Sequence, residues 1–224
     1  MADGKVLIVG SSLVRRLNKD INSSLQPMLV NNFGLDLQVD YLCKGGLKLS
    51  GLERRLQEII EMEPDFVFIQ CGANDLLDFP YGETVGDITL KLAKKIKTCS
   101  TAKQVAIGQN MPRRKGKYIR SIHQEQLYNK NAQRANKYLK VTAPTEDIIY
   151  WRHKGLTNPH EGGHGDTLLD DGVHLNPRGQ YKLYKSIKGA IVHIRNRHTP
   201  SSVQCKDQPQ ASLWYVLLMF TLYN

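Results

Sequence analysis

"KVLIVGSSLVRRL", residues 5–17, passes from a run of aliphatic and β-branched residues into a helical pattern with only Gly10, Ser11 and Ser12 between. Residues 5–9 form a short apolar run of the kind that fills a buried strand. Leu13, Leu17, Ile21 and Leu25 then recur at the spacing of one helix face. A buried strand leading straight into an amphipathic helix is the first half of a βαβ unit, whose crossover makes the next strand parallel to the first.

The alternation continues to the end of the domain. Residues 35–43 alternate apolar and polar as a second strand. Leu52, Leu56, Ile59 and Ile60 mark a helix closed by Pro64. Residues 66–69 read as a third strand, followed by a helix lined by Val85, Ile88, Leu92 and Ile96. Residues 105–107 are a fourth strand, residues 119–139 a long helix and residues 148–151 a fifth strand. Tyr181, Tyr184, Ile187, Ile191 and Ile194 line a last helix. The expected fold is α/β: a three-layer α/β/α sandwich on a five-stranded parallel sheet, flavodoxin-like in strand order. Residues 1–197 are expected to form one domain. Residues 198–224 are expected to be a polar linker and a short apolar tail, whose run at 213–220 is too brief to span a bilayer.

The totals exclude little. The chain has 224 residues, 41% hydrophobic and 23% charged, as a soluble globular protein has. Its formal charge of +10 favours anionic partners or surfaces. Cys43, Cys71, Cys99 and Cys205 form no CxxC pair, and the first two lie in strand-like runs, which predicts reduced core thiols. The apolar run after Met1 is too short for a secretion signal, so an intracellular, cytoplasmic protein is expected.

In a parallel sheet, ligands sit beyond the carboxyl ends of the strands, so chemistry is sought in the residues that follow each strand. Ser12 at a strand-to-helix turn is a helix cap or a nucleophile set where backbone N–H groups favour negative charge. Gly45-Gly46 makes a turn, or lets a backbone N–H approach a substrate oxygen closely. Asn74 and Asp75 cap a helix, or Asn74 donates its amide to an oxyanion. In "LLDDGVHLNPRGQYKLY", residues 168–184, Asp171 stands three before His174 and can hold the imidazole in one tautomer. His160 and His164 stand four apart in "HEGGH", but the glycines between them oppose a helix and no acidic third ligand accompanies them or His153, so a loop is expected there and no metal.

Taken in chain order, G-S-S-L, G-G-L, G-A-N-D and D-G-V-H-L-N resemble the four blocks of the SGNH hydrolase superfamily, the GDSL-type esterases. The resemblance spans about residues 4–195. It implies Ser12 as nucleophile, His174 as general base and Asp171 as its orienter. It also implies an oxyanion hole made of the Ser12 and Gly46 backbone N–H groups and the Asn74 side chain. The implied reaction is acyl-ester hydrolysis through an acyl-enzyme on a small ester or lipid substrate, without metal or cofactor. The family usually has Asp before the nucleophile. Here Ser11 stands in that place, and Leu13 favours Ser12 as the aligned serine, so weakened rather than absent chemistry is expected.

A second reading comes from charge. Lys91, Lys94, Lys95 and Lys97 share one helix, and Arg113, Arg114, Lys115 and Lys117 follow the fourth strand. They make a solvated face, or a patch for nucleic acid or an anionic surface. "WRHKGL" and "DDGVHLNPRGQ" also loosely resemble SGNH-like domains of invertebrate genomes and mobile elements. That likeness implies a binding or assembly module whose catalysis is weak or lost.

Overall fold

A computed structural model describes residues 4–23, 29–156 and 167–198 of the chain. Five strands, β1 (Lys5–Gly10), β2 (Gln38–Cys43), β3 (Phe66–Gln70), β4 (Gln104–Gly108) and β5 (Ile149–Trp151), form one sheet. Every pairing is parallel and the order is β2-β1-β3-β4-β5, the flavodoxin-like order expected from the strand–helix alternation.

Six helices cover the two faces: α1 (Ser12–Ile21), α2 (Leu49–Glu53), α3 (Leu56–Glu61), α4 (Gly82–Cys99), α5 (Ile122–Thr142) and α6 (Pro177–His198). The period-2 alternation of side chains divides the core accordingly. Val6 and Ile8 of β1, with Phe66 and Phe68 of β3, pack against α1 and α6. Leu7, Val9, Val67 and Ile69 point the other way, against α2 through α5. The central strands β1, β3 and β4 are therefore buried on both faces, which is why they read as near-continuous apolar runs.

Local readings differ at several places, and the long helix expected over residues 119–139 runs instead from Ile122 to Thr142. The helix expected through Leu52, Leu56 and Ile60 is two short helices parted at Arg54 and Arg55. β2 begins at Gln38 rather than Leu35, because Leu35 N and Leu37 N are used in tight turns, donating to Asn32 O and Leu35 O. The tail from residue 199, with Cys205 and the apolar run at 213–220, lies outside the described residues. Cys71 is buried and donates to Leu47 O, Cys43 is half-buried and Cys99 exposed; all three are free thiols. Among the described residues no helix is long and apolar enough to cross a membrane.

The lysines of α4 are matched one by one with carboxylates. Lys91 pairs with Asp87, Lys94 with Glu146, Lys95 with Glu53 and Lys97 with Asp147. That face is locally close to neutral. Exposed pairs of this kind add little stability, about 0–1 kcal/mol each.

His153, directly after β5, ties the sheet to α6. It is fully buried. Gln70 Nε2 donates to Gln109 O, which leaves Gln70 Oε1 to accept from His153 Nε2, 2.7 Å away. His153 Nδ1 then accepts from Ser186 Oγ at 2.9 Å, and Ser186 accepts from Trp151 Nε1 at 3.1 Å. This network fits only a neutral imidazole, and burial pushes its pKa down to about 4. Its effect on stability follows from linkage. Between pH 6.5 and 4 the unfolded chain binds a proton here that the folded chain refuses, so stability contributed by neutral His153 is lost as pH falls through that window. Asp75 acts oppositely. Its burial raises the carboxyl pKa to about 6, so the folded state gains over the same range. The difference between variants isolates the histidine. The unfolding free energy of the native chain, relative to His153→Gln, is expected to fall by about 2 kcal/mol between pH 7 and pH 5. Urea titrations at the two pH values measure it, and a pH-independent difference contradicts the buried neutral ring.

Candidate active site

Parallel register brings the strand ends to one edge. Gly10 lies opposite Cys43 on one side and Gln70 on the other. The segments leaving these three strands therefore start side by side, and backbone hydrogen bonds bind them together. Ser11 N donates to Gln70 O and Lys44 N to Gly10 O. Gly10 itself is required by close approach, since a Cβ there would lie 2.4 Å from Val14 Cγ2 and 2.7 Å from Gln70 O.

Ser11 occupies the N-cap position of α1, but its side chain makes no capping hydrogen bond, so the bland reading of the serine pair lacks its defining contact. Ser11 is buried, whereas Ser12 is half-buried and lines a cavity of about 290 Å³. Gly46, Asn74 and His174 line the same cavity. One residue from each of the four sequence blocks thus meets the others at one place, although 162 positions separate Ser12 from His174.

Each partner is fixed by its surroundings. Gly46 adopts φ +70°, a left-handed conformation that costs a residue with a Cβ, and nothing lies within 4 Å of where a Cβ would point. Asn74 Nδ2 donates to Leu47 O at 3.0 Å, and Asn74 Oδ1 accepts from Arg113 Nη2 at 2.8 Å. The amide orientation is thereby set, and a primary amide with one N–H on Leu47 has a second to offer. Asp75, the alternative capping residue of this block, does cap a helix: its carboxylate accepts from Leu49 N at the start of α2.

The last block is a tight turn. Asp171 Oδ1 accepts from the backbone N–H groups of Val173 and His174 at 3.0 and 2.8 Å, which turns Oδ2 onto His174 Nδ1 at 2.6 Å. Burial alone would raise the Asp171 pKa. The hydrogen bonds from the His174 backbone and ring and from Val173 outweigh it, and the carboxyl stays below its ordinary range. With Nδ1 engaged on a carboxylate, the imidazole carries its proton there and leaves Nε2 as the basic nitrogen. Gly172 O accepts from Arg114 N at 2.8 Å, seating the turn on the basic segment after β4. The Tyr118 ring stands edge-on to His174, with centroids 5.6 Å apart.

Sequence reasoning missed the three arginines of this cavity, Arg15, Arg16 and Arg113, together with Tyr118 and Val173. Arg15 and Arg16 follow Ser12 by three and four positions, the spacing that places side chains on one helix face. In the sequence Arg113 belongs to a basic run that makes a solvated face or a patch for an anionic partner. Its guanidinium instead lies over the Tyr128 ring, 4.6 Å from the centroid, and holds Asn74. His153 belongs to the buried network described above, and His160 and His164 lie outside the described residues. Among the described residues no cluster of three or more His, Cys, Asp or Glu side chains could hold a metal ion.

The chain matches the model of the GDSL-like lipase/acylhydrolase family over residues 5–187. Solved structures of similar fold include a GDSL-like lipase from Bacteroides thetaiotaomicron, at TM-score 0.65 and 16% identity, covering 85% of this chain and 89% of that one. The psychrotrophic esterase EstA from Pseudoalteromonas sp., inhibited by monoethylphosphonate, aligns at TM-score 0.57 and 18% identity, covering 87% of this chain and 100% of that one. A catalytic mutant of Axe2, an acetylxylan esterase from Geobacillus stearothermophilus, aligns at TM-score 0.61 and 15% identity, covering 85% and 94%. No curated protein matches the chain.

Proposed function

The chain belongs to the family of GDSL-like lipases and acylhydrolases, and from that premise we propose a serine esterase that cleaves carboxylic acyl esters at Ser12. The observation that carries this reading is the Asp171–His174 pair, joined at 2.6 Å, whose imidazole lines the same cavity as Ser12.

In the proposed reaction Ser12 Oγ attacks the acyl carbonyl carbon while His174 Nε2 takes the hydroxyl proton. Asp171 holds Nδ1–H and stabilises the imidazolium that forms. The carbonyl oxygen becomes an oxyanion and accepts from the backbone N–H groups of Ser12 and Gly46 and from the second N–H of Asn74 Nδ2. Ser12 begins α1, whose N-terminal dipole favours the same charge. Collapse of the intermediate breaks the bond to the alcohol oxygen, which leaves with the proton from His174. Water, deprotonated by His174, then cleaves the acyl-serine ester, and the carboxylic acid departs. All of these roles are filled by side chains and backbone of the chain itself.

Ser11 in place of the family's aspartate does not touch this sequence of proton transfers. It stands behind the nucleophile, buried at the end of β1. The test is turnover of p-nitrophenyl esters of graded acyl length. Turnover of at least one of these esters, lost in Ser12→Ala, is the expected result. Absence of turnover at every chain length contradicts the esterase reading.

A further inference from the structure

The cavity is lined by three arginines and by no carboxylate. Arg15 and Arg16 stand on the turn of α1 that follows Ser12, where Cβ atoms three or four residues apart are about 5–6 Å from one another. Among the described residues neither forms an ion pair. Arg16 Nε is buried without a hydrogen-bond partner in the protein. Arg15 lies against Gly45, so close that a Cβ there would be 3.4 Å from its Nε. Arg113 is engaged with Asn74 and Tyr128. The lysines of α4, by contrast, all have carboxylate partners. The cavity beside the nucleophile thus carries positive charge with no carboxylate in its lining. A guanidinium fork matches the paired oxygens of a carboxylate or phosphate.

Resting on the esterase reading above, we propose that the substrate is an ester bearing a negatively charged carboxylate or phosphate close to its acyl-ester bond, held by Arg15 and Arg16. A neutral ester leaves the arginines that line the cavity without a counter-charge, whereas an anion supplies one. The shared chemistry is the anion; it can sit on the alcohol side or on the acyl side of the scissile bond.

Two matched pairs of esters separate these sources. Monobutyrin and 1-butyryl-glycerol 3-phosphate differ by a phosphate on the alcohol. Ethyl butyrate and ethyl hydrogen succinate differ by a carboxylate on the acyl chain. In at least one pair the anionic member is expected to have the higher kcat/KM, by roughly 10- to 100-fold, as charge-assisted hydrogen bonds allow. Arg15→Gln or Arg16→Gln should reduce that ratio about tenfold, mostly through KM, and Arg15→Lys should retain part of it. A ratio near one in both pairs, or a ratio that survives both glutamine substitutions, overturns the proposal. Binding to the Ser12→Ala chain keeps the test independent of turnover. If no ester is cleaved but calorimetry finds 1-butyryl-glycerol 3-phosphate or ethyl hydrogen succinate bound at least tenfold tighter than its neutral counterpart, with Arg16→Gln abolishing the gain, the esterase reading fails and the anion clamp stands. Equal binding within both pairs removes the clamp.

Discussion

Ser12→Ala is expected to lower kcat for short p-nitrophenyl esters by a factor on the order of 10⁴ to 10⁶, while Ser11→Ala keeps most of the rate. The contrast arises from two adjacent serines with opposite surroundings. Ser11 is 4% exposed and sits at the N-cap, where its backbone carbonyl accepts from Arg15 N. Ser12 is the first residue of α1 and faces the cavity of Asn74 and His174. Methyl for hydroxyl at Ser12 removes the attacking atom and leaves the oxyanion donors, so a small residual rate from those groups and from binding is expected. Stability should change little, since the Ser12 side chain caps nothing. If Ser11→Ala is the inactive variant instead, the nucleophile has been placed one residue too late.

The second large effect is expected at Asp171→Asn, which should reduce kcat about 10³- to 10⁴-fold with little change in KM. The substitution is nearly isosteric. Its Oδ1 can still accept from Val173 N and His174 N, so the turn keeps its shape. The group facing His174 Nδ1 changes from an acceptor to an amide donor. That forces the proton to Nε2, the nitrogen required to take the proton of Ser12, and removes the charge that stabilises the imidazolium. Steady-state kinetics with a thermal-melt control measures it. A variant with kcat within a few-fold of the native chain would mean that Asp171 only shapes the turn.

The fold was legible because the central strands are buried on both faces and the helices on one, so period and composition change at almost every boundary. The parallel sheet followed from the strand–helix alternation, and its order is the flavodoxin-like one expected. What misled was local. Leu52, Leu56 and Ile59 continue one helical period across Arg54 and Arg55, and nothing in the apolar spacing marks the break there. Of the site, the four blocks could be read because each stands directly after a strand or before the last helix. Their meeting depends on register, which a linear pattern does not display. The lysines of α4 read as a cationic stripe because three of their partners, Glu53, Glu146 and Asp147, lie far away in sequence and only Asp87 is local. Arg113 was hidden for the same reason, its role being set by packing on Tyr128 and Asn74 from two other segments. Arg15 and Arg16 were within reach of sequence reasoning. Their i+3 and i+4 spacing from Ser12 already put them on its side of α1, opposite the buried Leu13, Val14 and Leu17.

The central claim, that Ser12 is a nucleophile activated by His174, is tested most directly by reacting the native chain with a fluorophosphonate and locating the adduct by peptide mass spectrometry. One equivalent is expected on the peptide containing Ser12, with fragment ions placing the mass on Ser12, and labelling should be abolished in Ser12→Ala and slowed by orders of magnitude in His174→Ala. An unlabelled native chain, or an adduct carried by Ser11 or Ser186, would contradict it.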